Sequence, residues 1–288
     1  MELIQLSITA LLVGLSQKLT ETLLQRVTAL RARGVVPTLA ILRVGERPDD
    51  LSYEVGAIKR CDKVDIPVRH FLLPEDCTKE QLLDTIRQIN ADDSIHGCLM
   101  FRPLPDKEME EAACALLAPE KDVDGMTAGS LATVFTGKGA GYPPCTAQAC
   151  MELLDYYNVP LQGKRVTVIG RSLVIGKPVS MMLQARNATV TMCHTKTENL
   201  AETCRNAEVL VVAAGKAGVV DASYVSPGQT VVDVGIHVND AGKLCGDVQF
   251  DAVEPVVSAV TPVPGGVGGV TTAVLAKHVV EAAEKAAR

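Results

Sequence analysis

The chain has 288 residues, of which 47% are hydrophobic and 22% are charged, enough for one large domain or two ordinary ones. Its net charge of −6, without a block of lysine or arginine, argues against a surface for nucleic acid or anionic membranes. Nine cysteines without a C-x-x-C pair favour reduced core residues of a cytoplasmic protein over a disulfide framework or a metal site.

The apolar stretch Leu3–Leu15 is similar to the core of a signal peptide, but it follows Glu2 and no basic residue. A secretory signal begins with positive charge, so none is expected here. No apolar run approaches the ~20 residues of a membrane helix, so a membrane partner is not expected either.

The first half of the chain alternates predicted helices and strands. Thr78, with Gln81 three residues later, predicts a capping box that begins the third helix. Because β-α-β-α-β alternation is typical of a parallel sheet, ligands are expected beyond the carboxyl ends of its strands, near 45–53 and 101–105. The predicted elements are helices over 16–33, 52–64 and 78–90 and strands over 38–44, 67–73 and 97–101.

A glycine-rich segment between Lys121 and Pro144 predicts a boundary between two domains. The second half resumes the alternation, which predicts a second doubly wound sheet and an α/β fold class for the whole chain. Residues 261–269 are predicted to form a rigid loop. The other predicted elements are helices over 146–157 and 270–288 and strands over 166–169, 188–192, 209–213 and 230–234.

The strand Val166–Ile169 ends at Gly170 in a turn that leads through Gly176 toward a helix. A helix N-terminus carries unpaired N–H groups and partial positive charge, so this turn is a candidate phosphate site. The G-x-G-x-x-G fingerprint is incomplete, because Ser172 replaces the second glycine and Gly176 comes one position late. Alone, the turn is equally typical of any strand-turn-helix unit.

Eleven short motifs together resemble one family. They are Val44-Gly45, Ser52-Tyr53, Pro103–Pro105, Lys121–Gly125, Pro144–Thr146, Gly170–Ser172, Gly176-x-Pro178, Cys193–Thr197, Asp233–Ile236, Gly246–Val248 and Pro262–Gly268. In this order they resemble the methylenetetrahydrofolate dehydrogenase/methenyltetrahydrofolate cyclohydrolase family. An ordered set of this kind is far more specific than any one motif.

The resemblance implies an N-terminal α/β/α folate-binding catalytic domain over 1–140, completed by a C-terminal helix over 270–288. It implies a Rossmann-type NAD(P)-binding domain over 141–269, and a homodimer. The implied reaction passes a hydride from 5,10-methylenetetrahydrofolate to NADP or NAD, with tetrahydrofolate as the one-carbon carrier.

Two departures from the family concern the hydrolytic step. The family's bifunctional members carry Tyr-x-x-x-Lys, whereas Tyr53 is followed by Ala57, and the nearest lysine is Lys59. On a helix Ala57 lies about 40° from Tyr53 and Lys59 about 240° away, so Lys59 cannot simply replace the missing lysine. In the strand-end motif, the family's Gln and Leu are replaced by Phe101 and Arg102.

These departures affect the two reactions differently. Removing a hydride leaves a cation delocalised over two nitrogens, so the substrate supplies the electrons and no general base is needed. Hydrolysis of the methenyl cation requires an activated water and proton transfers. We therefore expect a dehydrogenase with weak or absent cyclohydrolase activity, and a separate cyclohydrolase acting downstream.

The resemblance places Asp124 and Tyr53 at the centre of catalysis. A carboxylate can accept two parallel hydrogen bonds from the amino-pyrimidinone edge of the pterin, which suits Asp124, whereas Asp122 suits a turn cap. Tyr53 would stack on the folate or hydrogen-bond to it, or simply be a half-buried helix residue. Arg102 has no family precedent. It could pair with Asp124, reach the glutamate tail of folate, or lie in solvent, which is the default. The implied substrate-binding residues are Tyr53, Met100, Phe101, Arg102, Asp124, Pro264, Gly265, Gly266 and Gly268.

The cofactor is expected to be NADP, with NAD as the alternative. An acidic residue about twenty positions beyond the glycine turn favours NAD, and here the turn Cys193–Lys196 carries none. Arg171 supports the same choice, and no metal site is expected. The implied cofactor-binding residues are Thr146, Gly170, Arg171, Ser172, Ile175, His194, Thr195, Ala213, Gly235, Ile236 and Thr271.

Three alternatives remain open at this point. Hydrolysis could persist through Lys59 or Arg102, which would give a bifunctional enzyme. The chain could be an inactive folate- or dinucleotide-binding protein, although Asp124 and Gly170–Ser172 argue against the loss of both sites. A shikimate-like dehydrogenase shares the architecture but needs a catalytic Lys–Asp pair that the sequence does not place.

Overall fold

The computed structural model describes the backbone of residues 8–288 and the side chains from residue 14 onward, so the stretch 3–15 lies largely outside the described residues. The chain divides into two compact units. The first comprises Lys18–Cys145 and Thr272–Arg288, and the second comprises Thr146–Thr271 with the start of the first helix. None of the described helices is both long enough and apolar enough to cross a membrane.

Described elements before residue 145 alternate as expected, with two additional helices. They are α1 (Ile8–Arg31), β1 (Leu39–Val44), α2 (Pro48–Lys63), β2 (Val68–Leu73), α3 (Lys79–Ala91), β3 (Gly97–Met100), α4 (Lys107–Leu116) and α5 (Ala128–Thr136). The described strands of this unit form a parallel sheet in the order β2-β1-β3. The central strand β1 is buried throughout, as its nearly continuous apolar run requires of a strand covered on both faces.

Local sequence signals explain where the helices of the first unit begin. The predicted capping box is confirmed, because the Thr78 hydroxyl accepts the Gln81 N–H while the Gln81 side chain accepts the Thr78 N–H. Helix α2 begins at Pro48, earlier than predicted, because proline favours the first helical position and Asp49 and Asp50 complement the helix dipole. The sequence reasoning left α4 and α5 unassigned.

The rest of the chain forms the second α/β layer system and the closing helix. Its elements are α6 (Cys145–Tyr156), β4 (Arg165–Ile169), α7 (Gly176–Ala185), β5 (Thr189–Cys193), α8 (Leu200–Arg205), β6 (Val209–Val212), β7 (Thr230–Asp233), β8 (His237–Val238), β9 (Leu244–Cys245), α9 (Phe250–Val253), β10 (Ala259–Val260) and α10 (Val267–Ala286).

Strand β4 lies at the position that matters for ligands in the second unit. The described parallel sheet has the order β10-β7-β6-β4-β5, so the chain leaves β4 toward β5 on one side and returns to β6 on the other. This reversal is the topological switch point where α/β sheets bind ligands, beyond the carboxyl ends of the strands. The short antiparallel ribbon β8–β9 lies outside this sheet. The fold class is therefore α/β with two domains, as the sequence predicts.

Candidate functional site

In the first unit, Tyr53 and the end of β3 meet. Strand β3 ends at Met100, which is buried, and Phe101 follows it with 7% of its surface exposed. The Tyr53 ring, on α2, packs edge-on against Phe101 with ring centroids 6.0 Å apart and an interplanar angle of 81°. The bulky Phe101 thus occupies the side of the site where the family resemblance implies an amide.

The two aspartates after β3 have separate structural roles. Asp122 is fully buried, and its carboxylate accepts the N–H groups of Met126 at 3.1 Å and Thr127 at 2.7 Å. Gly125 has a φ of +71°, and a Cβ there would collide with the backbone joining Pro143 to Pro144. Asp122 therefore fixes the turn, as expected, and leaves Asp124 available for a ligand.

Asp124 is a partly buried carboxyl whose pKa is raised to about 6. Burial is the main cause, and the neighbouring Asp122 charge adds to it. A hydrogen bond from Cys145 and the guanidinium of Arg102 act in the opposite direction. Burial also raises the pKa of Tyr53 well above its usual value, with the Asp124 charge as a further cause. Asp124 and Tyr53 therefore lie within electrostatic reach of each other.

Ala57 and Lys59 lie where the helical geometry predicts. Ala57, one turn beyond Tyr53, is fully buried, whereas Lys59 is exposed. The exposed position of Lys59 argues against a role for its amine beside Tyr53.

Arg102 does not lie free in solvent, contrary to the default expectation. Its side chain is only 28% exposed, and its Nη1 atom lies 3.7 Å from Oε1 of Glu110. The other oxygen of Glu110 accepts the Leu104 N–H at 2.8 Å. Glu110, on α4, therefore links Arg102 to the loop after β3 and keeps a positive charge near Asp124. The sequence could not reveal this pair because α4 was not predicted.

A buried ionic network that the sequence reasoning missed supports α2. Arg43 on β1 donates from Nε to Oε2 of Glu54 at 2.9 Å, and both side chains are nearly inaccessible. Nδ1 of His70 on β2 lies 3.2 Å from Oε1 of the same glutamate. Arg43 also donates to the carbonyl of Gly45. The network joins two strands to α2 next to Tyr53. The sequence feature that could have indicated it is the arginine within the apolar run of β1, because a buried charge needs a partner.

In the second unit, Gly170 and Gly176 allow the turn after β4 to be very tight. Gly170 has a φ of +125°, and a Cβ there would meet the carbonyl oxygen of Ala213. A Cβ on Gly176 would meet the carbonyl of Gly170 itself. The Ser172 hydroxyl accepts the Ile175 N–H at 3.1 Å, and α7 begins at Gly176. The tight, glycine-lined approach to a helix N-terminus fits the pyrophosphate of a dinucleotide.

Basic residues occur in this turn and in the turn after the neighbouring strand β5. Arg171 and Lys196 are exposed. After β5, the His194 N–H donates to the Thr197 hydroxyl at 2.9 Å, and the Lys196 N–H donates to Nδ1 of His194 at 3.1 Å. The turn after β5 is therefore a compact unit held by its own hydrogen bonds, with Thr195 exposed on it.

Two buried carboxylates that the sequence reasoning did not assign fix the backbone near Gly235. Asp233 accepts the N–H groups of Gly235, Asp247 and Val248, each at 3.0 Å. Asp247 accepts those of Gly215 and Lys216 at 3.0 Å, and Nε2 of His237 lies 2.7 Å from it. These bonds order the segments that follow β6 and β7, where Ala213 and Ile236 lie. The sequence feature that could have indicated these two carboxylates is their place in the matching motifs Asp233–Ile236 and Gly246–Val248.

The loop before α10 differs in one respect from the prediction. The predicted loop 261–269 ends early, because α10 begins at Val267 and places Gly268 in its first turn. Gly265 has a φ of +102°, and a Cβ on Gly266 would meet the carbonyl oxygen of Pro262. Thr271 is buried within α10 and donates its hydroxyl to the Val267 carbonyl at 3.2 Å. Pro264 and Gly265 are exposed.

Comparison with known families gives matches across both units. Residues 13–124 match the family model of the tetrahydrofolate dehydrogenase/cyclohydrolase catalytic domain. Residues 144–287 match the model of the NAD(P)-binding domain of the same family.

Individual proteins give the same result. The chain is 52% identical to the bifunctional protein FolD of Carboxydothermus hydrogenoformans, over 92% of this chain and 93% of that protein. It superposes with a TM-score of 0.91 and 37% identity on the bifunctional FolD of Campylobacter jejuni, covering 94% and 96% of the two chains. It also superposes on the Trypanosoma brucei dehydrogenase-cyclohydrolase, whose structure is complexed with NADP and an inhibitor. The TM-score is 0.88 and the sequence identity 31%, and the match covers 96% of each chain.

Proposed function

The chain belongs to the tetrahydrofolate dehydrogenase/cyclohydrolase family, and from this premise we propose that it oxidises 5,10-methylenetetrahydrofolate to 5,10-methenyltetrahydrofolate with NADP as the acceptor. The observation that carries the proposal is Asp124. It lies within the turn that Asp122 caps, and within electrostatic reach of Tyr53 and Arg102.

Asp124 recognises the folate in this proposal. Its carboxylate accepts the two parallel N–H groups of the amino-pyrimidinone edge, and a charged acceptor makes these bonds strong. Tyr53 provides an aromatic surface beside it. Met100, Phe101 and Arg102 are the next proposed folate contacts. Pro264, Gly265, Gly266 and Gly268 are proposed as further folate contacts. We propose that the folate-binding domain comprises residues 1–140 and 270–288 and that the dinucleotide-binding domain comprises residues 141–269. We also propose that the chain forms a homodimer.

The second unit supplies the cofactor site. When bound, NADP accepts the hydride from the methylene carbon. The backbone around Gly170 and Ser172 holds the pyrophosphate, and Arg171 with the turn His194–Lys196 offers positive charge and donors for a 2′-phosphate. The absence of an acid between Cys193 and Thr197 supports NADP over NAD. The other proposed contacts are Thr146, Ile175, Ala213, Gly235, Ile236 and Thr271.

A cyclohydrolase activity is the second proposed function. The relatives at up to 52% identity are named bifunctional, which favours the bifunctional alternative over the lone dehydrogenase expected from the sequence. The exposed Lys59 is not a good candidate for the hydrolytic step. Arg102, which is only 28% exposed and lies 3.7 Å from Glu110, is the better candidate of the two residues considered. Ala57 and Phe101 in place of a lysine and an amide would slow this step.

A spectrophotometric assay tests both functions. Purified protein is given methylenetetrahydrofolate with NADP or with NAD, and reduced cofactor and methenyl product are followed separately. We expect both to form, faster with NADP. Methenyltetrahydrofolate alone is then added, and we expect it to decay faster than in buffer, but more slowly than it is formed. No turnover with either cofactor would contradict the dehydrogenase proposal, and decay at the buffer rate would contradict the second function.

The double substitution Ala57→Lys with Phe101→Gln is expected to accelerate hydrolysis of the methenyl substrate by roughly 100-fold, the low end of what general acid–base catalysis contributes. Burial at position 57 lowers the pKa of the new amine and suits it to proton transfer. Ala57→Met with Phe101→Gln is the matched control, because it adds bulk without the amine. Equal rates for the two variants would show that the amine is not the limiting group.

A further inference from the structure

The loop that follows β3, residues 101–105, has almost no backbone hydrogen bonds of its own. The Phe101 N–H donates to the Leu42 carbonyl at 3.0 Å and continues the pairing with β1. Beyond it, no backbone–backbone hydrogen bond in the described part of the chain involves residues 102–105. Two of these four residues are prolines, which have no N–H to donate. The conformation of this backbone therefore depends on side chains of other elements.

Two side chains bond directly to the backbone of this loop. Oε2 of Glu110, on α4, accepts the Leu104 N–H at 2.8 Å. Nη1 of Arg47, at the N-cap of α2, donates to the Pro103 carbonyl at 3.0 Å. Arg47 is exposed, whereas only 26% of the Glu110 side chain is. Because water competes less for a partly buried bond, Glu110 is the stronger of the two attachments.

Glu110 is itself fixed by the packing of α4. Asp106 caps this helix by accepting the Met109 N–H at 2.8 Å. Met109 and Ala113 are buried in a core cluster of the first unit, and Leu104 lies in the same cluster with 8% of its surface exposed. The core therefore holds in place the helix that presents the Glu110 carboxylate to the loop.

We infer that Glu110 is a positioning residue for the folate site, because it accepts the Leu104 N–H and so fixes the loop between β3 and α4. Phe101 and Arg102, two of the proposed folate contacts, belong to this loop. The same carboxylate lies 3.7 Å from the Arg102 guanidinium, so it also restricts where that charge can lie. This role rests on the proposed function, and it concerns folate binding rather than the transfer of the hydride.

The kinetic test varies the folate at saturating NADP for the full-length protein and three variants. For Glu110→Ala we expect the folate KM to rise roughly 10-fold, the low end for a hydrogen bond to a charged group, with kcat changed less than about twofold. Glu110→Gln keeps an oxygen that accepts the Leu104 N–H and should stay within about threefold of wild type, since a neutral acceptor makes a weaker bond. Glu111→Ala is the matched control, because it removes a carboxylate from the next position of α4, which is exposed and pairs with Lys107 at 3.6 Å. The KM for NADP should be unaltered in all three variants.

Amide hydrogen exchange of the loop gives a second readout that does not depend on turnover. Between positions 102 and 105 only Arg102 and Leu104 have an N–H, so few amides contribute to the signal. Mass spectrometry of peptides that cover the loop should show faster exchange in Glu110→Ala than in wild type, because the Leu104 N–H has lost its acceptor. Glu110→Gln and Glu111→Ala should exchange at the wild-type rate.

Three results would overturn the inference. They are a folate KM for Glu110→Ala within about twofold of wild type, unchanged exchange of the loop in that variant, and a Glu110→Gln variant as impaired as Glu110→Ala. The last result would show that the bond to Leu104 is not the cause of the loss. A wild-type protein that turns over no methylenetetrahydrofolate would instead overturn the proposed function, and the exchange measurement would still report on the bond between Glu110 and the loop.

Discussion

Asp124→Asn is expected to lower kcat/KM for methylenetetrahydrofolate by roughly 100- to 1000-fold, mainly through KM. A carboxylate accepts two N–H groups at once, whereas an amide offers one oxygen and turns an NH₂ group toward the second donor. Each charge-assisted bond is worth about 1.5–3 kcal/mol, and leaving a donor unpaired adds to the loss. The measurement is steady-state kinetics with the folate varied at saturating NADP.

The matched control for this prediction is Asp62→Asn, which removes the same charge from an exposed position in the last turn of α2. It should change kcat/KM less than twofold. The KM for NADP should be unaltered in both variants, because the substitution lies in the unit that binds folate. An Asp124→Asn enzyme within threefold of the wild-type kcat/KM would exclude this residue as the pterin anchor.

Glu54→Ala is expected to lower the free energy of unfolding by roughly 3–5 kcal/mol, the usual cost of removing one partner from a buried ion pair. The substitution leaves Arg43 buried at 5% exposure without its carboxylate, and it also removes the partner of His70. The measurement is urea unfolding followed by circular dichroism, with NADP added to identify the transition of the second unit.

Two further variants test the cause of this loss. Glu80→Ala removes an exposed pair with Arg87 and should leave the urea midpoint nearly unchanged, because solvent screens that pair. Arg43→Met combined with Glu54→Leu removes both buried charges and should recover most of the stability, because the cost lies in the unpaired charge. If Glu54→Ala unfolds at the wild-type urea concentration, the ionic network does not stabilise the unit.

The sequence predicted the elements whose signals are local. The apolar run of β1, the Thr78–Gln81 capping box and the glycine turn after β4 each depend on a few consecutive residues. Helix α2 begins four residues before its predicted start, because a proline after Gly45 is as typical of a loop as of a first helical turn. Helices α4 and α5 were missed although Asp106 and Thr127 cap them, because both are short and lie in a segment rich in glycine and proline.

The parts of the candidate site that consist of short sequence motifs could be predicted. The distinct roles of Asp122 and Asp124 and the exposed position of Lys59 follow from residue type and helical angle. Pairs distant in sequence were not predictable. His278 meets the Val123 carbonyl across 155 positions, and Arg102 meets Glu110 on an unpredicted helix, so only the folded chain brings them together.

The paired carboxylates of the second unit restrict how its cofactor preference can be engineered. The space beside Gly246 is filled by the carboxylate of Asp233, and that beside Gly235 by Asp247, so a larger residue at either glycine would displace the carboxylate beside it. The turn after β5 is different, because its side-chain bonds join His194 to its near neighbours Thr197 and Lys196. Libraries that aim to convert the enzyme between the two nicotinamide cofactors should therefore vary that turn and leave the four interlocked residues unchanged.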